Sequence, residues 1–100
     1  MAFYLLKLIP PRPTFPAEAS TAEMEAMGRH ADYIRHQIDL GIVFAAGPVM
    51  DPAGTWGVAI VEAEDDAALR KLCDNDPVIR AGLGFRWDVL PMASLLAPVR

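Results

Sequence analysis

Residues 42–63 read IVFAAGPVMDPAGTWGVAIVEA, and the fold follows from how this stretch is parsed. Ile42 to Ala46 is a short apolar run with branched and aromatic members, which predicts a strand, and Gly47-Pro48 predicts its end. Asp51-Pro52-Ala53-Gly54 is turn chemistry: the aspartate bonds local backbone, the proline pre-sets φ and the glycine tolerates the reversal. Trp56 to Ala63 then predicts a second strand, paired with the first as a hairpin. A hairpin at the middle of 100 residues leaves space for one further strand and one helical connection on each side.

Both flanks supply them. Upstream, Ser20-Thr21-Ala22-Glu23 has the spacing of a capping box, and Met24, Met27, Ala31, Ile34 and Ile38 recur at three-and-four spacing up to the stop at Gly41. Before that helix, Phe3 to Ile9 predicts a strand, and Pro10-Pro11-Arg12-Pro13 opens a loop expected to last to about Ala19. Downstream, Asp65 or Asp66 caps a helix from Ala67 to about Asp74, with Ala68, Leu69, Leu72 and Cys73 expected on its buried side. Asp76-Pro77 fits Ncap and N1 of a short turn over 77–81, closed by Gly82, and Phe85 to Leu90 predicts a last strand ended by Pro91.

The order βαββαβ predicts an α+β domain of ferredoxin-like arrangement: a four-stranded antiparallel sheet with two helices on one face, occupying residues 1–100 as one unit. Two helices cover one face only. Strand one carries Phe3 and Leu5 on one side and Tyr4, Leu6 and Leu8 on the other, while strand three sets Val58 and Ile60 against Ala59, Val61 and Ala63. Leaving either apolar side wet would expose more than a soluble monomer normally tolerates, so a homodimer through the sheet face is expected.

Composition narrows the partners. With 53% hydrophobic residues the chain has ample core material, and 13 acids against nine bases give a net charge of -4, the wrong sign for gripping phosphate backbones or anionic lipid. Nucleic acid and membrane are therefore not expected partners. The apolar run Ala2 to Ile9 is too short for a span and lacks a basic leader, so a cytoplasmic setting is expected by default. Cys73 stands alone and reads as a small core residue.

Two side chains invite chemistry. On a wheel of about 100° per residue the apolar stripe of the first helix centres between Met27 and Ile38, which puts His30 on its border, roughly 70° away, and His36 on the solvated side. A half-desolvated imidazole is suited to acid/base work, though it serves equally well as a structural hydrogen-bonding group. Asp76, held rigidly before proline at a helix start, is the other candidate, with N-capping as its plain structural role. In this topology the turn after helix two can approach helix one, so the two side chains could meet. His30 and His36 lie on different helix faces and cannot chelate one ion, and no P-loop, dinucleotide fingerprint or G-x-S-x-G elbow is present. No cofactor or metal is expected. Arg80, four residues after Asp76, is a candidate for binding an anionic substrate, and Trp56 and Trp87 read mainly as core or interface.

The segment from His30 through Tyr33-Ile34 to Gly41, then Ala45-Ala46-Gly47-Pro48, then Asn75-Asp76-Pro77-Val78 with Ala81-Gly82-Leu83, resembles the YCII-related family over nearly the whole chain. That resemblance implies a dimeric α+β barrel, a His-Asp active-site pair at His30 and Asp76, and a turn at Gly47-Pro48 beside the pocket. One relative in that family is similar to a dehydrochlorinase of a chlorinated hydroxyquinol, and the wider superfamily includes muconolactone isomerase and small monooxygenases. The Pro-rich segment, Pro10 to Pro16, and Val78 after Asp-Pro depart from the pattern and are expected to reshape the pocket. The expected function is acid/base proton transfer on a small cyclic or aromatic oxygenated compound, of lyase, isomerase or dehydrochlorinase type. The alternative is a non-catalytic dimeric module that binds a small ligand.

Overall fold

The structure is a computed structural model and describes residues 1–98. Four strands, β1 (Ala2–Ile9), β2 (Val43–Val49), β3 (Trp56–Ala63) and β4 (Arg86–Met92), form one sheet in the order β2-β3-β1-β4. Every neighbouring pair is antiparallel. Around it lie α1 (Phe15–Glu18), α2 (Thr21–Asp39), α3 (Asp66–Asp74) and α4 (Pro77–Arg80). This is the expected ferredoxin-like α+β arrangement.

Strand alternation sets the layers. Tyr4, Leu6 and Leu8 of β1 are buried beneath the helices together with Ala59, Val61 and Ala63 of β3 and Val43 of β2. The intervening Phe3, Leu5, Lys7 and Ile9 pair in register with Glu62, Ile60 and Val58 on one side and with Met92, Leu90, Asp88 and Arg86 on the other, so these residues share the uncovered face. Beneath the helices the core falls into two clusters, one around Leu6, Val61 and Leu69 and one around Leu8, Phe15, Val78 and Phe85, and Trp87 packs against both.

Five expectations about the elements are corrected. Gly47-Pro48 does not end β2, and Pro91 does not end β4: Pro48 pairs with Gly57 and Pro91 with Tyr4 inside the ladder. Both lie in edge strands, where a missing N–H need not break a pairing. The loop expected up to Ala19 contains the single turn α1, with Pro16 in its first turn and Phe15 buried. Ala68 is exposed, so the buried side of α3 rests on Leu69, Cys73 and partly Leu72.

The fifth concerns α2. Its buried stripe runs through Glu23, Ala26, Ile34 and Gln37 with His30 and Tyr33 between them, turned by roughly 80° from the apolar stripe that the sequence suggests. Met24 is more than half exposed and Ile38 more than a third. Three polar residues thus occupy the inward face while apolar ones flank it, and Glu23 and His30 each find a charged partner there.

Candidate active site

The N-terminus of α2 fixes one wall of the site. Ser20 Oγ accepts from the backbone N–H of Glu23, and Glu23 Oε1 accepts in return from the N–H of Ser20, completing the capping box. Glu23 has a second partner. Both terminal nitrogens of Arg12 donate to its two oxygens at 2.8 and 2.9 Å, and one also donates to the backbone oxygen of Glu18 at 2.7 Å. The Arg12 guanidinium, helped by the Ser20 backbone, holds the Glu23 carboxyl down at about 2.

That ion pair ties the Pro-rich segment to α2, and two close approaches tie it elsewhere. Gly84 and Gly54 both have positive φ, and a Cβ built on them would lie 3.1 Å from Pro11 and from Pro13 respectively. Only glycine combines that backbone with that proximity. The strap from Pro10 to Phe15 is thereby held against the β2–β3 turn, the start of α2 and the entry to β4, with Phe15 packed edge-on against Phe85 at 5.0 Å between ring centroids.

One turn beyond Ala26 stands His30. Ala26 is fully buried in the same cluster as Val78, and its small side chain lets α4 approach α2 closely. Asp76, the N-cap of α4, is fully buried. Its Oδ1 accepts from the N–H of Val78 at 3.0 Å, the capping bond, while its Oδ2 lies 2.6 Å from Nδ1 of His30. An ionised carboxylate only accepts, so Nδ1 carries the proton. Cap and imidazole partner are two uses of one side chain, one oxygen each. Among the described residues Nε2 of His30 has no hydrogen-bond partner.

Behind the pair, Tyr33 donates to the backbone oxygen of Leu72 at 2.7 Å, and burial together with the Asp76 charge pushes its phenol up to about 12. Burial raises the Cys73 thiol to about 11, with Asp74 and Asp76 adding to the effect, so it is protonated and inert at neutral pH.

In front of His30 is a cavity of about 490 Å³, a size suited to a small ligand. Its floor is made of small residues on the sheet, Ala46, Gly47, Gly57 and Ala59 with Pro48, and Met27, Ala31 and Ile38 of α2 line it too. Here is the reason for the misplaced stripe: the apolar flank of α2 lines open space over a floor too low to reach it. Phe15, Phe85, Trp56 and Trp87 supply aromatic wall. A wider groove of about 790 Å³ on the far side of Trp87, along Tyr4, Leu69 and Val89, contains no imidazole.

The sequence matches the YCII-related domain over residues 3–93. The chain belongs to the YCII-related domain family. No curated protein matches it significantly. Family membership and fold agree with the resemblance carried by the motifs around His30, Gly47-Pro48 and Asp76.

Of the residues singled out from the sequence, the fold brings His30 and Asp76 into hydrogen-bond contact and sets Gly47 and Pro48 in the cavity floor, as strand rather than as the turn the family resemblance implied. Arg80 is not brought there: it is exposed, with Nη1 3.5 Å from Asn75 Oδ1. The cation lining the cavity is Arg35. Sequence reasoning also set aside Trp56 and Trp87, both of which line the cavity, and the ring of Trp87 lies 5.9 Å from that of His30. Trp87 in β4 carries no sequence signal for this role, whereas Arg35, five residues after His30 on one helix, sits on the flank of the apolar stripe.

Proposed function

We propose that the chain is a small-molecule enzyme in which His30, oriented by Asp76, transfers a proton on a cyclic or aromatic oxygenated compound held in the cavity. The observation that carries this reading is the 2.6 Å contact between Nδ1 of His30 and a fully buried carboxylate, with the other ring nitrogen unpartnered among the described residues and the His30 side chain lining an aromatic-walled cavity. A buried charge is costly unless paired, and an N-cap needs only one carboxylate oxygen. Asp76 uses its second oxygen to hold a single tautomer of His30.

With Nδ1–H donated to Asp76, Nε2 presents a lone pair. It removes a proton from a substrate carbon or hydroxyl next to an oxygenated carbon, and the imidazolium so formed is stabilised by Asp76. Two outcomes follow from one base. Returning the proton at a different carbon completes an isomerisation; letting the electron pair form a double bond while a neighbouring halide or hydroxyl departs with its bonding electrons completes an elimination. Neither needs an electron acceptor. The apolar wall keeps water from competing for the proton.

Assembly belongs to the same proposal: two copies pack through their uncovered sheet faces, each protomer keeping its own His30 and Asp76. The deciding experiment is a screen of cyclic hydroxy-, keto- and halo-compounds with His30→Asn as control. Turnover by the native chain that vanishes in the variant supports the reading; equal turnover by both removes it.

A further inference from the structure

The polar groups that line the cavity share one property. His30, Arg35, Thr55, Trp56 and Trp87 are its only polar side chains among the described residues, and none is a carboxylate or an amide. Asp76 is sequestered behind the imidazole. Trp56 is already committed, its indole N–H donating to Asp51 at 3.1 Å. Trp87 offers no donor either: its Nε1 is buried without a hydrogen-bond partner among the described residues and so is not exposed to the cavity.

Arg35 supplies the cavity's fixed charge. Its bond to Asp32 at 3.1 Å joins two exposed side chains and occupies one donor of five. A pair of that kind is weak and yields readily to a better-placed anion. In a protein of net charge -4 the cavity wall therefore carries a cation and no side-chain carboxylate, with an imidazole beside it.

We infer that the cavity takes an anionic ligand: an apolar ring bearing a carboxylate or equivalent oxyanion, with Arg35 holding the anionic group and the ring set against the aromatic wall. This rests on the cavity being the binding site of the proposed function and narrows its substrate class. Arg35 is a binding residue; the proton moves only through His30.

Benzoate, benzamide and benzylamine share one ring and differ in charge, so titrating each into the full-length protein by calorimetry and ¹H–¹⁵N NMR tests the inference. Benzoate is expected to bind at least about tenfold more tightly than benzylamine. Arg35→Gln is expected to weaken benzoate about tenfold and leave benzamide unchanged, while Arg80→Gln changes neither. Benzamide or benzylamine binding as well as benzoate, an Arg35→Gln variant with native benzoate affinity, or no binding of any probe at millimolar concentration overturns the inference. The titration reads no turnover, so charge preference persisting in a protein whose His30→Asn variant keeps full activity would sink the catalytic reading alone.

Discussion

Asp76 Oδ2 and His30 Nδ1 stand 2.6 Å apart across 46 residues of chain, and the same carboxylate caps α4 through its other oxygen. One side chain therefore couples the geometry of the α4 start to the orientation of the imidazole. Replacing either partner should have separable structural and chemical effects.

Asp76→Asn keeps the shape of the cap but removes the charge and offers an N–H where a carboxylate had accepted. The amide can present its oxygen to only one partner, so the tautomer of His30 is no longer enforced. Activity in the proposed reaction should fall by about two to four orders of magnitude. Side-chain ¹⁵N NMR of the neutral imidazole should find the single tautomer with Nδ1 protonated in the native protein, and a mixture of tautomers in the variant.

His30→Ala strips a fully buried carboxylate of its partner, which should destabilise the fold by about 3 kcal/mol or more. His30→Asn places an amide N–H near the position of Nδ1 and should cost less than half of that while abolishing proton transfer. Urea denaturation compared with turnover checks the split; equal stability loss in both would mean that the contact with Asp76 contributes little.

The Arg12–Glu23 pair makes a pH prediction. Glu23 has a folded value of about 2, below the unfolded value of about 4.5, so its contribution to stability is fully present above about pH 4.5. It is lost as pH falls from there through about 2. Denaturation midpoints measured between pH 6 and pH 2 should decline in the native protein, and Glu23→Gln should be less stable at pH 6 with a shallower decline. Because the pair fastens the strap that carries Phe15 to the cavity, the variant should also bind ring ligands more weakly.

The uncovered sheet face makes the fourth. Leu5 lies opposite Ile60 and Leu90 at its centre, and Leu90 is half exposed. A homodimer burying about 800 Å² per protomer there should sediment as a dimer at micromolar concentration, and Leu5→Glu should yield folded monomers. A native chain sedimenting as a monomer would remove the sheet-to-sheet assembly.

Much of this architecture is local in origin. The capping box of Ser20 and Glu23, the Asp65 and Asp76 caps and the alternation of β1 and β3 each depend on residues within a few positions of one another, and the element order then allows few topologies. What periodicity could not supply was the rotation of α2. A polar residue is buried where a partner from elsewhere in the chain waits for it, and Arg12 and Asp76 are invisible to a helical wheel drawn on residues 20–41. The same holds for the cavity: its floor exists because Ala46, Gly57 and Ala59 come together from two strands, and its wall because Arg35 and Trp87 converge from α2 and β4. Short-range hydrogen bonding and alternation are written in the chain, whereas a cavity is a relation among side chains whose distances are set only when the helices dock on the sheet.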